Sequence, residues 1–260
     1  MPGRLRSGGV LVNARPRARA GIAPLALIAG AAGLGCGDAP ATERARVAPA
    51  VADTSTAGAR ATPGVDMLCV DTERSLVGWR GTEAVGSGHA GIVRLADGHL
   101  VLRDSAVVGG EFTVDMRTIE VTDIPPHEVE ARRLLRSHLM HEEFFAVDRF
   151  PSAGFVLTDI AGGEHGAYTV SGNLAVRDSV HNVTFEATAP VVGPRELWAT
   201  ARFSIDRQLW GVSFDGATST LRDAIVDDDI QLELTVVASA AEEEEGGPCG
   251  VASGLLWERS

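Results

Sequence analysis

At 260 residues with a formal charge of -12, the chain can form one large all-β domain or two small ones, and it is too acidic to bind nucleic acid through counterion release at phosphates. The composition is 45% hydrophobic but only 5% aromatic, which excludes a platform of stacked rings and suits a core of Val, Ile, Leu and Ala. All 23 basic residues are arginine, so no lysine is available to form a Schiff base or reach a nucleotide phosphate.

The chain opens with a basic stretch, Arg4, Arg6, Arg15, Arg17 and Arg19, with no acid before residue 36. An apolar run over residues 20–35 follows and ends in small residues just before Cys36. Basic then apolar then small is the order of a secretory signal, and the run is too short and too rich in Gly and Ala to span a bilayer well. Gly33-Leu34-Gly35-Cys36 resembles a bacterial lipobox, with its leucine two residues before the cysteine where the pattern usually has it three before. Residues 1–35 are therefore expected to be a signal peptide, Cys36 a lipidation site, and the protein periplasmic and anchored to a membrane through its N-terminus.

Residues 36–66 are rich in Ala, Thr and Pro and have few large apolar side chains, so they read as a disordered tether. A domain is expected over residues 67–240. With Cys36 lipidated, Cys69 and Cys249 are left as a pair in an oxidising compartment, flanking that domain. A bond between them requires the two ends of the domain to be neighbours, as they are in a closed barrel.

Within the domain the dominant period is two. Ile230, Leu232, Leu234 and Val236 alternate with Gln231, Glu233 and Thr235, and Leu197 through Ile205 alternate in the same way, which gives each strand one apolar and one wet face. Shorter alternation marks Val77 and Trp79, residues 112–116, 168–176 and 183–187. Turn residues separate the runs at Ala96-Asp97-Gly98, Gly109-Gly110, Gly162-Gly163, Arg177-Asp178-Ser179 and Gly193-Pro194. About eight half-wet strands must stack as a sandwich or close on themselves, and periodicity leaves both open. One helix is expected over residues 125–139, opened by two prolines, with Glu128 and Arg132 one turn apart and Ala131, Leu134, Leu135 and Leu139 aligned. Residues 241–260 begin with Glu242 to Glu245 and read as an acidic tail, a solvated surface like the run Asp227 to Asp229.

An ordered set of residues then points to a family. Val70-Asp71, Ser75-Leu76-Val77-Gly78-Trp79 and His89-Ala90-Gly91 are followed by Gly109-Gly110-Glu111-Phe112-Thr113-Val114-Asp115-Met116. His138-Leu139, Phe144-Phe145, Phe150-Pro151-Ser152-Ala153-Gly154-Phe155 and Tyr168-Thr169-Val170-Ser171-Gly172-Asn173-Leu174 come next, and Phe203-Ser204-Ile205-Asp206-Arg207 with Trp210-Gly211 closes the set. In this order and spacing the chain resembles the YceI-like family of bacterial exported proteins over about residues 70–237. The stretch over residues 176–183 departs from the family, which usually has a lysine-glycine turn there. The resemblance implies an all-β fold, a closed antiparallel eight-stranded lipocalin-like barrel with one short helix as a lid. It also implies an interior that binds a polyisoprenoid, an isoprenoid quinone or a related amphiphilic lipid.

Catalytic patterns fail on spacing. His141-Glu142-Glu143 begins like a zinc HExxH motif, but the second histidine would fall at Phe145. His138 and His141 lack a third ligand, and neither a Gly-x-Ser-x-Gly elbow nor a Gly-rich phosphate cradle occurs. No enzyme, metal or cofactor is expected beyond a bound lipid. The wall of its site is expected from Val77, Trp79, Phe112, Val114, Phe144, Phe145, Phe155, Leu174, Phe185, Phe203, Leu232 and Leu234, with Arg207 and Trp210 closing one end of the barrel by a cation-π stack. The expected function is an exported carrier or store for an apolar chain; the alternative is a periplasmic interaction or stress-response scaffold whose barrel is filled by its own side chains. Oligomeric state is not written in the sequence.

Overall fold

The computed structural model describes residues 42–52, 65–83, 88–162, 164–212, 226–240 and Cys249. The signal segment, Cys36, residues 53–64 of the expected tether and the acidic tail other than Cys249 lie outside these residues.

Ten strands and one α-helix make up the described chain: β1 (Arg46–Pro49), β2 (Val65–Val70), β3 (Leu76–Glu83), β4 (His89–Arg103), β5 (Ala106–Val121), α1 (Val129–Met140), β6 (Ser152–Gly162), β7 (Ala167–Val176), β8 (Ser179–Val192), β9 (Glu196–Asp206) and β10 (Val226–Ala240). From β3 to β10 each strand pairs antiparallel with the next, and β10 returns to β3 in the register Leu76↔Thr235 to Glu83↔Val226. The fold is therefore a closed eight-stranded antiparallel barrel, in which pairing of the last strand with the first removes both sheet edges.

β2 and β3 are two halves of one stave, since both lie between β4 and β10. β2 pairs with residues 99–103 and 238–240, and β3 with residues 89–94 and 226–235. The break between them is a turn built on Asp71, whose Oδ1 accepts from the amides of Glu73 and Arg74 at 3.0 Å. Ser75 closes the gap. It is fully buried, and its hydroxyl donates to Val237 O at 3.2 Å and accepts from Val237 N at 2.9 Å.

The segment expected to be a disordered tether contains a strand. β8 and β9 pair between Ala187↔Ala201 and Val192↔Leu197, but their other ends part, and β1 fills the gap. It pairs antiparallel with β8 from Arg46↔Thr184 to Pro49↔His181, while Ser204 of β9 donates to Glu43 O and accepts from Ala45 N. Ala45 is buried in the main core and Val47 packs against it. Low apolar content argued correctly that this segment has no core of its own, but a strand needs none when its backbone can satisfy two existing edges.

Two of the expected turns are bulges. Ala96-Asp97-Gly98 lies inside β4, where pairing to β5 shifts between Leu95 and Asp97, and Gly109-Gly110 lies inside β5 opposite a second shift. A Cβ on Gly110 would stand 2.7 Å from the Leu100 side chain and 2.9 Å from His99 O, so glycine here permits close strand approach rather than reversal. The reversal is made by Asp104 and Ser105, both left-handed at φ 51° and 64°, as a two-residue hairpin turn requires.

Helix α1 begins after the two prolines, as expected, but only part of its apolar set faces inward. Leu139 is buried and Leu135 packs on the core, whereas Leu134 is 62% exposed. Arg132 does not turn to the Glu128 carboxylate. Its Nε donates to Val121 O at 3.0 Å, and Arg136 donates to Ile119 O at 2.8 Å and Arg117 O at 2.7 Å, so two guanidinium groups tie the helix to the end of β5. Just beyond β5 the Asp123 carboxyl is held below the ordinary carboxylate range. Partial burial pushes it up, but bonds from the His89 ring and the Ala90 amide outweigh that.

Cys69, in β2, is bonded to Cys249. The bond closes a span of 180 residues, and chain-entropy arguments put its contribution to stability at up to about 5 kcal/mol. Cys69→Ser is expected to cost about 2–5 kcal/mol and to lower Tm by roughly 5–15 °C, measured by calorimetry with and without reductant. Reductant should lower Tm of the wild type to the same value and leave the variant unmoved. Ala45→Glu, which puts a charge where β1 meets the core, should free that strand. Hydrogen exchange would then rise at the Ser204 amide, which donates to Glu43 O, and stay unchanged in β4 and β5.

Candidate functional site

The inward phase of the eight staves encloses a cavity of about 240 Å³. Its walls are apolar except for Thr200, Tyr168, Arg207 and the two indoles of Trp79 and Trp210. Side-chain size explains the vacancy. β8 and β9 turn Ala187, Ala189, Ala199 and Ala201 to the lumen, and Ala153 does the same on β6, so the interior is only partly filled by side chains. Many inward residues, among them Val77, Val114, Val170, Leu174, Leu232 and Leu234, accordingly remain half-accessible inside a sealed wall.

Eleven of the twelve expected wall residues line this cavity: Val77, Trp79, Phe112, Val114, Phe145, Phe155, Leu174, Phe185, Phe203, Leu232 and Leu234. Four of their rings form an arc. Phe112 and Phe155 are 6.2 Å apart, Phe155 and Phe185 5.9 Å, and Phe185 stacks on Phe203 at 4.1 Å with an interplanar angle of 11°. Phe155 lies directly over Gly172, where a Cβ would stand 2.1 Å from the ring. Phe144 is the exception and is corrected to core. It is 5% exposed, meets the Phe145 ring edge-on at 4.8 Å and the His138 ring at 5.9 Å, and does not reach the lumen. The adjacent aromatics follow the helix in a loop, so their directions could not be taken from a strand period. Further wall residues, including Met116, Leu157, Val183, Ile205 and Ile230, share the inward phase of strands whose other members were named, whereas Val93 and Leu95 lie on β4, from which none was named, and Ile119 falls out of phase beyond a bulge. Extending each alternation to its full length would have found the first five.

The end of the barrel beneath α1 is sealed. Leu139, Phe144, Val147, Trp210 and Val212 are each at most 7% exposed there. Arg207 and Trp210, expected to close an end, both belong to this seal, in a single 3-10 turn over Arg207–Trp210 after β9. Arg207 is 3% exposed and donates to Val212 O, to Asp227 O at 3.2 Å and to the Asp228 carboxylate at 3.2 Å. Trp210 Nε1 donates to Leu174 O at 2.9 Å, and its ring meets His181 edge-on at 5.1 Å. Arg177, in the β7–β8 turn at φ 55°, reaches across to Phe144 O at 2.9 Å and Gly211 O at 2.6 Å, joining the helix loop to the 3-10 turn.

Among the described residues two buried side-chain polar atoms have no hydrogen-bond partner, Arg177 Nε and Trp79 Nε1, and only Trp79 lines the cavity. Leaving such a group unsatisfied costs on the order of 1–3 kcal/mol. Among the described residues no three His, Cys, Asp or Glu side chains converge as a metal site would require. His138 and His141 stand apart in role, one against the Phe144 ring and the other 3.8 Å from Glu143.

A closed up-and-down barrel around an apolar chamber defines a protein of the lipocalin architectural type. Residues 69–238 match the model of the YceI-like domain, and the chain belongs to that family. Among solved structures it is similar to Burkholderia cenocepacia BcnA, with a TM-score of 0.50 at 18% identity over 65% of this chain and 99% of that one. It is also similar to a polyisoprenoid binding domain from Saccharophagus degradans implicated in plant cell wall breakdown, with a TM-score of 0.49 at 9% identity over 68% and 99% of the two chains. A search of curated proteins finds no match.

Gly172→Val is expected to push the Phe155 ring into the lumen and lower the affinity for any occupant, and Phe155→Ala in the same chain should restore it; titration of an apolar fluorophore checks both. Phe144→Ala should instead cost about 3–5 kcal/mol of stability in denaturant melts and leave the affinity of the folded fraction unchanged.

Proposed function

We propose that the protein is an exported carrier or store for an isoprenoid-type apolar chain, held inside the barrel, and that it performs no chemistry on it. The observation that carries this reading is the vacant apolar chamber. At about 10–15 Å³ for each water-sized group, 240 Å³ holds on the order of twenty such groups, or about four five-carbon units. Each unit contributes roughly 3–4 kcal/mol of apolar transfer before ordering costs, enough for tight binding without any ion pair. The unfilled lumen favours a carrier over a scaffold plugged by its own side chains. No cofactor beyond the lipid enters this reading.

Export and anchoring belong to the same proposal. Lipid on Cys36 would place five residues between the anchor and Thr42, where the described chain begins, and those six residue-to-residue steps reach at most about 20 Å. The barrel would then stay close to the membrane that supplies or receives its cargo, not at the end of a long leash.

Mass spectrometry of the organic extract from natively purified protein is expected to find an isoprenoid lipid, and a fluorescent polyprenyl probe should then saturate at one site on delipidated protein. Leu232→Arg, which places a guanidinium in mid-lumen, should reduce probe affinity at least 100-fold. An unextractable lumen and no saturation would refute the carrier.

A further inference from the structure

The wall is shut around its middle but not along its whole height. β5 and β6 pair only from Glu111↔Val156 to Asp115↔Ser152, although β5 begins at Ala106 and β6 runs on to Gly162. Residues 106–110 and 159–162 find their ladder partners, among the described residues, on β4 and β7 alone. Had the register continued, Val107 would stand opposite Ile160; both line the chamber and both are half-exposed. Exposure rises along this slot, from Gly109, Gly110 and Leu157, which are buried, to Ala106, Ala161 and Gly162, which are open to solvent. Two other partings of the staves are filled. β1 occupies the gap between β8 and β9, and Arg132 and Arg136 take the carbonyls of residues 117, 119 and 121 where β5 runs past the start of β6. The α1 end is sealed, and the far end between β2, β4, β9 and β10 is packed by Leu68, Leu100, Leu102, Leu197 and Ala238, each at most 5% exposed. Strand edges left bare recruit other chains and are ordinarily covered. Among the described residues this slot has no filler, and it borders the chamber.

We propose that the unpaired slot between β5 and β6 is the doorway of the chamber, through which an apolar chain enters tail-first and at which its polar head stays outside. This deepens the carrier reading and rests on it. The place follows from backbone bonding. Widening the slot breaks no hydrogen bond between staves, whereas passage between any other neighbouring pair strips a ladder and leaves its N–H and C=O groups unsatisfied. The direction follows from the wall. The Arg207 guanidinium is spent on Val212 O, Asp227 O and Asp228, the Trp210 indole on Leu174 O, and the ring edge of Trp79 is held against the β4 backbone at Gly91. A head carried inward would lose its bonds to water and gain none, while each tail group that passes the slot gains apolar contact.

The test is to staple the slot and time the traffic. Val108→Cys with Asp159→Cys puts a thiol on each lip, next to Val107 and Ile160 but in the outward phase, and Cys36→Ser leaves no other thiol outside the Cys69–Cys249 bond. The pair is joined by a short bis-maleimide, and uptake and release of a farnesyl chain with a dansyl group at its head are followed by stopped flow on delipidated protein. A barrier on the path slows entry and exit alike, so the staple is expected to slow both at least about tenfold and to leave Kd within about threefold. The unlinked double variant should match wild type. A second staple, Arg46→Cys with Thr184→Cys, locks β1 to β8 and should leave both rates unchanged. Unchanged rates with the β5–β6 staple, or equal slowing by both staples, overturn the doorway and leave the carrier standing. Failure of wild type to bind the probe overturns the carrier reading and this one with it. A further measurement needs no variant. With a nitroxide in place of the dansyl group, the amides of residues 106–108 and 160–162 of the wild type should broaden most in NMR spectra. Strongest broadening in α1, or at residues 45–48 and 181–184, would show the head at another opening and refute the proposal.

Discussion

The hydrogen bonds between β3 and β10 turn a half-wet sheet into a tube, and the other features follow from that closure. Once the wall is sealed, every inward side chain faces another across a fixed diameter, and residue size alone decides whether the centre is solid or empty. The alanines of β8 and β9 and the glycine beneath Phe155 leave it empty. The same residues in an open sheet would merely be poorly packed.

Polar satisfaction divides the barrel into three zones. Outside, the acidic and arginine side chains of the staves make pairs such as Arg202–Glu233 that water screens. At the seal under α1, guanidinium groups of Arg132, Arg136, Arg177 and Arg207 are spent on backbone carbonyls, which lets charged residues close an apolar tube without being buried unpaired. Inside, the wall offers almost nothing to a charge. An occupant must therefore be held by apolar area.

The sequence made the staves legible wherever one face is wet. The long alternations of β9 and β10 predicted both the strands and the inward phase, and with the family resemblance they led to eleven wall residues. Legibility failed where that premise failed. β4 carries Leu100, Val101 and Leu102 buried in succession, Leu100 and Leu102 in a second apolar cluster with Leu68 and Val101 on the opposite face, so no period of two survives. Glycines inside β4 and β5 looked like turns because bulges and turns use the same residue. The Asp104-Ser105 reversal was passed over because it lacks glycine. β1 was hidden by composition, since Ala45 and Val47 fill a slot that only the parting of β8 from β9 creates, and no property of residues 42–52 announces that parting. Phe144 and Phe145 stand side by side in a loop, and only three-dimensional packing separates core from wall there.

Closure by the final strand also sets the order in which the molecule can exist. The pair Leu76↔Thr235 joins residues 159 positions apart, so a chain emerging from its N-terminus carries seven of the eight staves before the tube can shut. Until then the sheet has two bare edges and an uncovered greasy face, and β1 has nowhere to insert before β8 and β9 are both present. The Cys69–Cys249 bond comes after that moment, as a rivet on a hull already closed, and the period before it is when the chain most needs shelter from its own copies.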